Sequence, residues 1–106
     1  MKAVPALGFI ETYGRVCAIE AADAALKAAK VNLISIRKFS GGLVTVVIEG
    51  ELAAIQSAVE AAKIRAKLLC RIVNTNIIPG PAKETLATIE EMRKISKKGS
   101  KKRRYK

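Results

Sequence analysis

The alternation of apolar and polar residues changes period several times in the first eighty positions. Leu7 and Phe9 alternate with Gly8 and Ile10 in a short apolar run over residues 7–12 that stops at Tyr13-Gly14, the period-two signature of a strand. From Arg15 to Lys30, Val16, Ile19, Ala22, Leu26 and Ala29 recur every three or four residues beside Glu20, Asp23, Lys27 and Lys30. That spacing predicts an amphipathic helix whose apolar stripe is the first set, with Asp23 and Lys27 one turn apart as an i,i+4 pair. Two β-branched runs follow, 31–38 and 43–49, separated by Ser40-Gly41-Gly42. Glycine reaches positive φ without steric cost, so the pair is expected to form an antiparallel hairpin. A second helical pattern places Leu52, Ile55, Val59, Ala62, Ala66 and Leu69 on one face, and a fourth strand over 71–78 ends at Pro79-Gly80-Pro81. Proline cannot donate to a strand ladder, which ends the pairing there. The order βαββαβ implies a ferredoxin-like α+β sandwich.

The same unit is written twice. Ala18-Ile19 with Ala22, Ala25 and Lys27 corresponds to Ala54-Ile55 with Ala58, Ala61 and Lys63, an offset of 36 residues. Two copies make a pseudo-symmetric domain and not a solenoid. The expected organisation is one domain over residues 1–82, an amphipathic C-terminal helix over 83–96 carrying Leu86, Ile89, Met92 and Ile95, and a basic tail over 97–106 without fixed structure.

Charge sharpens this division. The net charge is +11, yet residues 93–106 hold nine of the twenty basic side chains and no acid. The domain is therefore near neutral and the tail strongly cationic. Histidine is absent, which removes the commonest general base and transition-metal ligand. Glu11, Glu20, Glu49 and Glu51 show no acid/base pairing, and no phosphate-cradling glycine loop precedes a helix. Neither an enzyme nor a cofactor is expected. Cys17 and Cys70 have no C-x-x-C spacing and the amino terminus is not signal-like, so both are expected to be reduced, small apolar residues of a cytosolic protein.

The residues 6–12 (Ala-Leu-Gly-Phe-Ile-Glu-Thr), 18–24 (Ala-Ile-Glu-Ala-Ala-Asp-Ala), 27–29, 42–46 (Gly-Leu-Val-Thr-Val) with Gly50, and 77–79 (Ile-Ile-Pro) together resemble the hexameric shell proteins of bacterial microcompartments, the BMC-domain family. The match runs in register from about residue 4 to 81. The resemblance implies a flat cyclic hexamer that tiles edge to edge into a sheet, encloses enzymes in the cytoplasm, and passes small polar or anionic metabolites through a central pore. It places the pore loop on Lys38, Phe39, Ser40, Gly41 and Gly42, with serine and glycine exchanged relative to the family's usual order. It places a lysine of the hexamer edge on Lys27, beside Asp23, and puts Gly80 where the family commonly has an arginine between two prolines. Such a guanidinium offers a planar, multi-donor contact that glycine cannot replace. The implied partners are further copies of the chain, other shell proteins, encapsulated enzymes and the permeating metabolite.

Taken without that resemblance, Ser40-Gly41-Gly42 is a hairpin turn, Lys27 a solvated partner of Asp23, and Lys38 a hairpin-end charge. The competing function is a small polyanion-binding module acting through its tail, since clustered basic charge attracts any polyanion in a salt-dependent way. Tyr105 is the tail's one aromatic residue, so it lacks a stacking platform for base recognition.

Overall fold

The computed structural model describes residues 5–70, 72–82 and 84–91. The elements run β1 (Ala6–Tyr13), α1 (Arg15–Ala28), β2 (Asn32–Lys38), one 3-10 turn (Ser40–Gly42), β3 (Leu43–Gly50), α2 (Leu52–Leu69) and β4 (Ile72–Ile78). Residues 84–91 add a helix, α3. The strands form one antiparallel sheet in the order β2-β3-β1-β4, which is the ferredoxin-like arrangement. Each half supplies a strand, a helix and a strand, and the two halves interleave so that β3 and β1 are neighbours at the centre.

Alternation along β1 explains the layering. Ala6 and Ile10 lie in the core formed with both helices, while Leu7 belongs to a second buried cluster with Ile34, Val47 and Ile89. Ile89 comes from α3, and Phe9 and Ile78 pack against this cluster. The sheet is thus covered by α1 and α2 on one face and partly by α3 on the other. Gly8 marks where α2 comes closest: a Cβ there would stand 3.0 Å from Ile48 Cγ1, 3.1 Å from Val59 Cγ2 and 3.2 Å from Ile55 Cγ2.

The buried stripe of α1 differs from the expected one. The residues buried are Cys17, Ala18, Ala21, Ala22 and Ala25, whereas Val16 is 75 % exposed, Ile19 51 % and Leu26 40 %. Both stripes obey the 3.6-residue period, and their centres lie roughly a third of a turn apart around the helix. The small-residue stripe lets α1 lie close to α2 and the sheet, and it leaves the larger aliphatic side chains outside. In α2 the buried set is Ile55, Ala58, Val59, Ala62 and Ala66, with Leu52 and Leu69 exposed at the ends. The repeat is therefore uneven: Ile55 is fully buried while its counterpart Ile19 faces outward.

The cysteines also correct the expectation from sequence. Cys17, in the first turn of α1, and Cys70, which caps α2, form a disulfide with Cα atoms 5.8 Å apart. Their separation of 53 residues hid a proximity that arises only when the helices pack antiparallel. Glu20 and Arg65 bridge the same pair of helices, with Arg65 Nη2 and Nε donating to Glu20 Oε1 at 2.9 and 3.3 Å. Met92, Ile95 and the basic tail lie outside the described residues, as does Arg71.

Candidate functional site

The glycine-rich loop is a single tight turn at the end of the β2–β3 hairpin. The Phe39 N–H donates to the Leu43 carbonyl at 2.7 Å and closes it. Gly41 and Gly42 have φ of 80° and 83°, with open space where a Cβ would stand. These positive angles explain the residue choice, because an L side chain enters that region only at a cost. The Gly14 N–H donates to the Gly42 carbonyl at 2.9 Å and anchors the loop to the turn between β1 and α1. Lys38, Phe39, Ser40 and Gly41 are exposed, and Gly42 is half-buried. What this loop offers to solvent is a hydroxyl, peptide groups and one aromatic ring.

Strand alternation distributes charge around it. Lys38 pairs with Val44 and Ile36 with Val46, and both valines belong to the helix-side core. Arg37 pairs with Thr45 and so belongs to the other face of the sheet; its guanidinium carbon is 6.0 Å from the Phe39 ring centroid. The sequence singled out residues 38–42 as the loop, and the fold sets Gly14, Arg15 and Arg37, which it did not single out, beside them. The one signal for Gly14 was the Tyr13-Gly14 stop, and its pairing with Gly42 across the sheet is invisible in the linear chain.

The second candidate set is more dispersed. Lys27 Nζ and Asp23 Oδ2 are 2.9 Å apart as a helix-surface pair, the i,i+4 contact expected. Gly80 follows edge strand β4 with φ 59° and open surroundings. A third feature was not anticipated. Val16 and Ile19 on α1, and Ile64, Leu68 and Leu69 on α2, are all more than half exposed, and the disulfide and the Glu20–Arg65 pair place them at the same end of the helix pair. Among the described residues no cluster of three or more potential metal ligands occurs, and no helix is long and apolar enough to cross a membrane.

Comparison with known proteins gives this geometry a context. The family model for the BMC domain matches residues 6–81. The chain is 40 % identical over 94 residues to the bacterial microcompartment shell protein EutM of Salmonella typhimurium, covering 89 % of this chain and 94 % of that protein. It is 49 % identical over 80 residues to the carboxysome shell protein CsoS1A of Hydrogenovibrio crunogenus, covering 74 % and 83 %. A crystal structure of a microcompartment protein from Desulfitobacterium hafniense superposes with a TM-score of 0.75 at 35 % identity over 84 % of this chain. The chain spans about half the length of that solved protein, 48 %.

Proposed function

The chain belongs to the BMC-domain family and is a structural shell protein like its relatives; we propose that it is a hexameric tile with a central pore. In this reading six copies close into a flat cytoplasmic ring. Loop 39–42 converges on the axis, and neighbouring rings join at an edge containing Asp23, Lys27 and Gly80. Other shell proteins and the enclosed enzymes are the further partners. The observation that carries the reading is the outward placement of Val16, Ile19, Ile64, Leu68 and Leu69. A lone domain gains nothing by exposing five aliphatic residues near one end of a helix pair, whereas burying them between copies is favourable.

The loop suits a lumen for small polar metabolites. Peptide N–H groups and a serine hydroxyl can replace part of a solute's hydration without a bulky side chain having to move. Phe39 is the exception, and its contact with Arg37 favours a position aside from the loop's tip. Gly80 makes the edge differ from the arginine-bearing pattern that the family resemblance led us to expect. The tiling reading is tested by negative-stain electron microscopy of the purified chain. Rings or flat lattices with a sixfold repeat are expected, and isolated particles of single-chain size would overturn it.

A further inference from the structure

We propose that the cleft between the start of α1 and the end of β2 is a binding site for a small oxyanion, a phosphate ester or carboxylate, held by Arg15 and Lys38. The cleft is about 350 Å³ and is lined by Arg15, Ile19, Ile36, Arg37, Lys38 and Val44. It has cationic groups, an apolar floor and no carboxylate. Its volume falls within the range of small-ligand sites.

The α1 start and the side chains of Arg15 and Lys38 all favour a negative charge in the cleft. Arg15 opens α1, where a helix's exposed N–H groups already carry partial positive charge. That end has no acid in its first turn and no side-chain cap, its N-cap being Gly14. Neither Arg15 nor Lys38 takes part in the ion pairs found among the described residues, which join Lys27 to Asp23 and Arg65 to Glu20. Arg37 lines the cleft as well, although its guanidinium is placed against Phe39. Like charges brought together around a concave surface repel one another, and an anion between them removes that repulsion while gaining charge-assisted hydrogen bonds. The apolar floor of Ile36 and Val44 would contact the carbon skeleton of an organic anion, in addition to the charged contacts that inorganic phosphate shares with it.

One chain builds this site. Only its role, concentrating anions at the foot of loop 39–42, rests on the pore reading. Because Gly14 ties the loop to the α1 start, an anion in the cleft would sit beside a pore without lining its axis.

The test is a titration of the full chain with inorganic phosphate at constant ionic strength, followed by the phosphorus NMR line width. Arg15→Gln, Lys38→Gln and Lys63→Gln are measured alongside, the last removing a cation from the separate cleft between α2 and β4. The expected result is saturable broadening that weakens about tenfold in each of the first two variants, the loss of one charged hydrogen bond, and stays unchanged in the third. Arg15→Lys should keep part of the effect. Broadening that never saturates, or that is equal in all variants, would show diffuse attraction to a cationic chain and overturn the site. Light scattering on the same samples separates a second alternative. If the wild type ignores phosphate while Arg15→Gln or Lys38→Gln lowers the mass of the assembly, the cleft holds a neighbouring copy's carboxylate and the free-anion site is wrong. A monomer that binds phosphate at the cleft would sink the ring and leave the site standing.

Discussion

At the residue scale the glycines make opposed demands. Gly8 is required by packing: a methyl group there meets three aliphatic side chains of β3 and α2 at 3.0–3.2 Å. Gly8→Ala is expected to lower stability by about 1–3 kcal/mol, measured as a shift in urea midpoint at unchanged slope. Gly80 is required by its backbone angle of 59° and has free space around it. Gly80→Arg should therefore cost only about 1–2 kcal/mol of fold stability from the left-handed conformation, while supplying the guanidinium that the family's edges commonly carry. More extended lattices by electron microscopy are the expected outcome, and unchanged or reduced tiling would assign the edge to other residues. Gly8 shared a phase with Ile10 in an apolar run of the sequence, and nothing in the chain announced the close approach of α2. The Gly41-Gly42 turn, by contrast, was legible because two glycines between β-branched runs have few other uses.

At the element scale the informative comparison is between repeat-mates. Ile55 is fully buried under the sheet and Ile19 is half exposed on α1, although the repeat makes them equivalent. Ile55→Ala is expected to cost about 2–5 kcal/mol in chemical denaturation. Ile19→Ala should leave the fold nearly unchanged and weaken association between copies, seen as a lower mass at limiting concentration. The helices' periods, lengths and order could be read from the sequence, whereas the rotation of α1 could not. A stripe of alanines has little hydropathic weight, so Val16, Ile19 and Leu26 dominated the pattern even though tight helix packing selects the small residues. The same close packing brings Cys17 to Cys70 across 53 residues, a distance over which spacing carries no information. Cross-linking a loop of that length restricts the unfolded chain, so reduction is expected to remove about 2–4 kcal/mol. Denaturation with and without dithiothreitol checks this, and a Cys70→Ser variant should be insensitive to the reductant.

At the scale of the whole molecule, the antiparallel sheet in the order β2-β3-β1-β4 followed from the order of elements, and the family resemblance extended it to an assembly that no single chain displays. The features that suit assembly lie on distinct parts of the fold: exposed aliphatic residues at one end of the helix pair, the loop at the β2–β3 turn, and the charged pair on α1. Periodicity had assigned the α1 aliphatics to the domain's interior, where they would have had no part in association. The cationic segment 93–106 remains the basis of the competing polyanion-binding function. The two functions respond oppositely to salt, since hydrophobic association persists when counterions screen charge and polyanion attraction does not.

The most direct test of the shell-tile account is the solution mass of the purified full chain by light scattering coupled to size exclusion, at low and at high salt. The account predicts a hexamer of about 68 kDa, six copies of the 11.4 kDa chain with cyclic symmetry, or larger lattices built from it, unchanged by salt. A salt-independent monomer or dimer would contradict it.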